Sequence, residues 1–322
     1  MTVSVRVVAR AAPEMWIDDD LAALAEFVSG QGVLPRDAEE LAERLYGGWF
    51  LNIAPADAPS GPPMPAERDL ASALAAAHAG GSRFEPGWIA DRVSSAGRVE
   101  AVAGLRRRIV RAGEYLDLDR PGRHPEPGDR LRLATPLSSV EGGFWVTRTM
   151  SWLDEGDGPL TRLYVNVSLA GAATAVALLT EVLEGTDTAY ALKVSLQLGE
   201  VQRADALVVY VPRPRFAEVY ESFGRVTARL QDEGQLAPGT PRLTARLRPG
   251  VGAADGVGTG SSYGQDRCMI LARALAGHLS TTNHHGAGLL EETCRTALVD
   301  AGLDPSRPYL SADADHDYAP FA

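Results

Sequence analysis

Lysine is almost absent from this chain. Of its 31 basic residues only Lys193 is a lysine, and the rest are arginine. A guanidinium effectively never loses its proton in a protein, so no arginine here can act as a base or an amine nucleophile. Cysteine is scarce as well: Cys268 and Cys294 have no C-x-x-C partners, which leaves no disulfide framework and no zinc site. Long apolar runs are missing. Leu163 to Leu183 is broken by Asn166, Ser168, Thr174, Thr180 and Glu181, and reads as a strand running into a helix. The first residues lack the apolar stretch of a signal peptide, so a cytoplasmic location is expected. Cations are outnumbered, and a net charge of −11 argues against nucleic acid or an anionic membrane as the main partner.

What is present suits a folded core. The chain has 322 residues, 45% of them hydrophobic, enough for one large domain or two. The first 53 residues read as helical. Asp18-Asp19-Asp20 resembles an N-terminal cap ahead of Leu21, Leu24, Phe27 and Val28. Pro35 opens a second helix with Ala38, Leu41, Leu45 and Trp49 on one face, and residues 55–65 form a proline-rich loop. Leu70, Leu74 and Ala77 mark a third helix. Short strands follow at 109–110, 115–118, 131–133 and 144–146, with Arg106-Arg107-Arg108 as a solvated face. The expected division is an N-terminal helical region with following strands over 1–130 and an α+β core over 131–322.

The core pattern is strand, helix, strand, strand, helix. Residues 160–168 alternate, with Leu163, Val165 and Val167 on one side and Arg162, Tyr164, Asn166 and Ser168 on the other. A helix over 171–183 follows. Residues 189–198 alternate again, separating Leu192, Val194, Leu196 and Leu198 from Lys193, Ser195 and Gln197. A third strand runs from about Arg203 to Tyr210, although a separation of seven would place those two residues on opposite faces unless Arg203 lies on a turn or a bulge intervenes. A helix over 216–230 completes the unit. This order implies an α+β fold: a mostly antiparallel sheet with helices packed on one face, plus the N-terminal helices. Arg162, Tyr164, Asn166 and Lys193 would then share one polar surface, whose cations suit an anionic ligand.

Residues 250–260 hold five glycines and lead through Ser261-Ser262 into a helix that carries Arg267. A glycine-rich loop entering a helix offers free N–H groups to an anion, with Ser262 as its cap. The spacing matches neither a Walker A loop nor G-x-G-x-x-G.

Arg162-Leu163-Tyr164-Val165-Asn166, the Leu192-Lys193 strand, Arg203-Ala204-Asp205-Ala206 with Tyr210, and Ser261-Ser262-Tyr263-Gly264-Gln265-Asp266-Arg267-Cys268 together resemble the HopA-type effector family over residues 130–300. Actinobacterial members of that family are similar to the lyase subunits of class V lanthipeptide and thioamitide biosynthesis. The resemblance implies a cytoplasmic carbon–oxygen lyase without cofactor, working beside a separate Ser/Thr kinase. It would remove phosphate from phosphoserine or phosphothreonine in a precursor peptide, leaving dehydroalanine or dehydrobutyrine. A more distant likeness is to effector phosphothreonine lyases, whose Lys-x-His strand reads Arg162-Leu163-Tyr164 here, so tyrosine stands where their histidine acid would.

The elimination needs a base for the α-proton and a site for the phosphate. A lysine of ordinary pKa near ~10.4 must be depressed to serve as that base. Lys193 is the base in this reading. Arg162, Arg203 and Arg267 bind phosphate, helped by Asn166 and Ser262. Tyr164 or Tyr210 donates to the leaving or enolate oxygen, with His284 and His285 as other candidate acids. His78, His124, His278 and His316 read as structural or exposed, and the acidic tail 313–318 as disordered. Two other readings stand beside this one: a scaffold that binds the kinase and the leader peptide without catalysis, and a Schiff-base lysine enzyme.

Overall fold

The computed structural model describes residues 14–31, 34–51, 66–81, 83–94, 97–149, 158–186, 188–198, 203–257, 262–281, 286–312 and 314–321. Helix α1, Glu14–Gly30, already includes Asp18, Asp19 and Asp20, so that cluster is not the expected cap. Asp20 is buried instead and accepts from Leu243 N (2.8 Å), Arg242 Nη1 (2.9 Å) and Arg246 Nη2 (3.0 Å). An aspartate inside a helix is tolerated because a distant loop and two arginines satisfy it. Helix α2, Ala38–Leu45, starts three residues beyond Pro35. The Asp37 carboxylate caps it, accepting from Glu39 N (3.0 Å) and Glu40 N (2.9 Å). It continues into a π-helical turn, Tyr46–Phe50. Leu41, Leu45 and Trp49 are buried, as their spacing requires. Helix α3 is Glu67–Ala77.

A five-stranded antiparallel sheet follows, built from β1 (Arg83–Val93), β2 (Val99–Ala103), β3 (Arg106–Val110), β4 (Tyr115–Asp117) and β5 (Arg130–Thr135), in the order β3-β2-β1-β5-β4. It has a small core of its own around Trp88, Val99, Val110, Leu131 and Leu133. The arginine run splits by strand alternation. Arg106 and Arg108 lie over the Trp88 ring, while Arg107 pairs with Asp91 and Glu100. The chain changes sheet between Thr135 and Ser138, so the division expected at 130/131 falls within β5.

The larger sheet has seven antiparallel strands: β6 (Ser138–Glu141), β7 (Phe144–Arg148), β8 (Pro159–Val165), β9 (Ala191–Ser195), β10 (Leu207–Pro212), β11 (Ala245–Arg248) and β12 (Val251–Val257). Their order is β11-β12-β8-β10-β9-β7-β6. Helices α4 (Ala172–Glu184) and α5 (Phe216–Asp232) lie close to the two spans predicted from the pattern. They share a core with Leu163, Val165, Leu192, Val194, Leu207 and Val209. Val219, Phe223, Thr227 and Leu230 form the buried stripe of α5, at the spacing of one helix face. Helices α6 (Tyr263–Thr281) and α7 (Ala287–Asp300) pack with α1, α2 and the π-turn. The fold is therefore α+β with an N-terminal helical region. Cys268 and Cys294 are buried free thiols, and burial pushes Cys294 up to about 12. Among the described residues no helix is long and apolar enough to cross a membrane.

The C-terminal tail is not the disordered segment expected. Tyr318 is buried and donates to Asp255, which also accepts from Arg213 Nη1 (3.1 Å) and Ser311 Oγ (3.0 Å) and meets His316 Nε2 at 3.2 Å. Tyr309 donates to Asp317 (3.0 Å), and Tyr220 donates to the Ala319 carbonyl (2.8 Å). The residues that looked like an acidic solvated run are tied to groups far away in sequence, so local composition misread them. Asp313 lies outside the described residues.

Candidate functional site

The strand register decides which side chains meet. Tyr210 on β10 lies opposite Arg162 on β8 and Ala191 on β9, and Val208 lies opposite Tyr164 and Lys193. On β7, Val146 lies opposite Lys193 and Phe144 opposite Ser195. Paired residues point to the same side of a sheet, and i, i+2 neighbours join them. Arg162, Tyr164, Lys193, Tyr210 and Phe144 therefore share the face turned away from Leu163 and Leu192. Two strand spacings, about 9.6 Å, separate the backbones carrying Tyr164 and Lys193.

Aromatic rings link the cations on this face. Lys193 Nζ is 4.7 Å from the centre of the Phe144 ring and 5.7 Å from that of Tyr210. Arg162 Cζ is also 5.7 Å from the Tyr210 ring, and Arg203 Cζ is 5.4 Å from Phe144. Such rings offer their negative faces to cations and hold them without neutralising them. Among the described residues Lys193 has no carboxylate partner. Arg203 does have one: Asp205 accepts from its Nε (2.5 Å) and Nη2 (3.0 Å). Arg203 lies in a turn closed by Ala206 N donating to its carbonyl (3.1 Å), which resolves the parity conflict between Arg203 and Tyr210.

Much of this face is covered. Arg162 is 4% exposed and Tyr164 5% exposed, while Lys193 is half-buried. Burial raises the Tyr164 phenol well above its ordinary value and keeps it protonated, while nearby Arg162 acts the other way. It can donate a hydrogen bond but does not serve as a base at neutral pH.

The remaining predicted residues divide. Ser262 lies beside the group, within hydrogen-bonding reach of the Tyr46 hydroxyl. Asn166 shares the parity of Arg162, but its amide donates to the Gly239 carbonyl (2.9 Å), and its backbone N donates to Gly250 O (2.8 Å). It fastens a loop at the strand end. Arg267 donates to the carbonyls of Pro308 (2.9 Å) and Leu310 (3.3 Å) and to Asp266 (2.5 Å), and it lies over the Tyr263 ring at 4.8 Å. It ties α6 to the C-terminal segment. His284 and His285 lie outside the described residues.

The first part of the glycine-rich stretch, residues 251–257, forms β12 between β11 and β8, and residues 258–261, which lead into α6, lie outside the described residues. Gly250, with φ of 78°, makes the tight turn from β11. Gly252 allows the Thr244 hydroxyl to come within 2.7 Å of where a Cβ would stand. A Cβ on Gly256 would overlap the Arg162 guanidinium itself. The glycines are cut away for close packing.

One participant was missed in the sequence. Tyr46, from the π-turn, is half-buried with Arg203, Asp205 and Ser262 around its hydroxyl, and its ring stacks on Phe50 with centres 5.6 Å apart. The signal available was the Tyr46-Gly47-Gly48 break after an amphipathic helix, which carries no chemistry by itself.

Comparison with known proteins bears on the family and the fold. The model of the HopA1 effector protein family matches residues 135–310. The effector protein from Pseudomonas syringae pv. tomato strain DC3000 has a similar solved structure, with 14% identity and a TM-score of 0.51, covering 94% of this chain and 99% of that one. The effector protein from Pseudomonas syringae pv. syringae strain 61 is similar at 14% identity and a TM-score of 0.51, covering 94% of this chain and 100% of that one. At such identity the likeness establishes the fold. No curated protein matches the sequence.

Proposed function

The chain belongs to the HopA1 effector protein family, and on that footing we propose that it is a phosphoserine/phosphothreonine lyase acting on a phosphorylated precursor peptide. The observation that carries the reading is that its sole lysine shares one sheet face with Arg162, Tyr164 and Tyr210, with Arg203 reached across Phe144. A face with three cations and one carboxylate, Asp205, suits a dianion. The absence of a carboxylate on Lys193, among the described residues, leaves the amine available to a substrate.

In this reading Arg162 and Arg203 hold the phosphoryl group, and the neutral amine of Lys193 takes the α-proton. The Cα–H electron pair becomes the Cα=Cβ double bond. The Cβ–O bond breaks and its electrons leave with phosphate. The products are a dehydroamino acid and inorganic phosphate. Tyr210, beside both Arg162 and Lys193, donates to the developing enolate or to the departing oxygen. Tyr164 supports the floor of the site as a neutral donor. Asn166 and Arg267 have structural parts in this account. The precursor peptide is the substrate, and a separate kinase supplies its phosphate.

The test is incubation of the protein with a phosphothreonine peptide, following loss of phosphoric acid by mass. The unaltered protein is expected to eliminate, and Lys193→Arg is expected to lose at least ~100-fold in rate, because it keeps the charge and removes the base. Full activity in Lys193→Arg would overturn the mechanism. No elimination by the unaltered protein with the kinase present would favour a binding scaffold instead.

A further inference from the structure

Tyr46 reaches the site from outside the stretch matched by the family model, and the surrounding packing fixes it there. The Gly48 backbone lies under the Phe27 ring, with 2.7 Å between ring and the place a Cβ would take. Phe50 is pressed against Gly264 at the start of α6, where any Cβ would overlap the ring. The π-turn is also bonded to the strand side of the site. Leu51 O accepts from Ala204 N (3.0 Å), next to Arg203, and Phe50 O accepts from Arg242 N (2.9 Å). Single π-turns inside helices are common at functional positions. Here the turn places the Tyr46 hydroxyl between Arg203 and Ser262.

The donor count on Arg203 gives this placement a purpose. A guanidinium has five N–H groups in a rigid plane. Asp205 takes one from Nε and one from Nη2, and the Tyr46 oxygen lies within hydrogen-bonding reach of the same guanidinium. With Tyr46 taking a third, two are left for a ligand. We propose that Tyr46 is a positioning residue of the anion site, fixing with Asp205 the plane of Arg203 so that its two remaining N–H groups meet a phosphoryl group bound beside Lys193. The inference rests on the reading of this face as a phosphate site. A tyrosine suits the task because it accepts from Arg203 without adding a second negative charge. Burial, with Asp205 nearby, pushes its phenol up to about 12, so it stays neutral beside a dianion.

The experiment separates binding from turnover. In the Lys193→Ala protein, a fluorescent phosphothreonine peptide is titrated, with its unphosphorylated form and inorganic phosphate as comparisons. Tyr46→Phe keeps the ring on Phe50 and removes only the hydroxyl. Phosphopeptide affinity is expected to fall roughly tenfold, as for loss of a charge-assisted hydrogen bond, with unphosphorylated binding unchanged. In an Arg203→Met background the same change is expected to cost nothing further, an outcome that a general loosening of the fold would not produce. Ser262→Ala, which frees the Tyr46 hydroxyl without touching the ring, is expected to show a smaller loss of the same kind and carries the test if Tyr46→Phe does not fold. Unchanged affinity, or a loss that adds in full to that of Arg203→Met, overturns the inference. No phosphate-dependent binding by any folded variant, the Lys193→Ala parent included, overturns the anion site and the lyase reading with it.

Discussion

Arg162 is a buried cation whose place depends on a missing methyl group. Its guanidinium lies across the backbone of Gly256 on β12, where a Cβ would overlap it. The obstruction is the far end of a flexible side chain, so Gly256→Ala is expected to leave the fold standing and swing Arg162 off the Tyr210 ring. The expected outcome is phosphopeptide affinity lower by about tenfold, with a melting temperature near that of the unaltered protein. Binding at full strength would remove Arg162 from the phosphate site. The same scale explains the division among the predicted arginines. Arg203 is only partly buried on the lysine face, whereas Arg267 is buried and bonded to Pro308, Leu310 and Asp266.

At the scale of elements, the site is the seam between the sheet face and the π-turn that follows α2. That seam is closed by a ring on a glycine, Phe50 on Gly264. Here the ring is rigid and buried, so it cannot turn aside as an arginine can. Gly264→Ala is expected to destabilise the protein by about 2 kcal/mol, measured by denaturant unfolding. It is also expected to impair phosphate binding by moving Tyr46. A stable, fully active Gly264→Ala protein would show that the π-turn does not locate the site. Helix α5 needs no such seam, because its stripe of Val219, Phe223 and Leu230 docks on the sheet by pattern alone.

At the scale of the whole molecule, the C-terminal strap closes over Asp255. Burial tends to raise the pKa of this carboxyl, but the bonds from His316, Tyr318 and the Ser311 backbone outweigh it and bring the value down to about 2. A group whose folded pKa is depressed contributes stability above its unfolded pKa, and that contribution is lost as pH falls through the folded one. The window is therefore between about pH 4 and pH 2. About 2 kcal/mol of stability is expected to disappear across it, and Asp255→Asn is expected to flatten that part of the pH profile. An unchanged acid profile in Asp255→Asn would mean that the strap is held by its aromatic contacts, such as Phe216 with Tyr318.

The sequence by itself determined what depends on local periodicity and on residue chemistry. Alternation separated Leu163, Leu192 and Val194 from Arg162, Tyr164 and Lys193, because a strand repeats every two residues regardless of its neighbours. It set helices near 171–183 and 216–230 by the same logic, and it marked Lys193 as the only side-chain amine available. Tertiary structure decided what depends on distance across the chain. The π-turn brought Tyr46 to Arg203, and β12 made Gly252 and Gly256 packing positions. Partners far away in sequence turned Asn166 and Arg267 into fasteners, and a buried aspartate gathered a tail that composition alone assigned to solvent. The physical reason is common to all of these: a polar side chain has no assigned task until burial removes water as its alternative partner, and burial is a property of the whole fold.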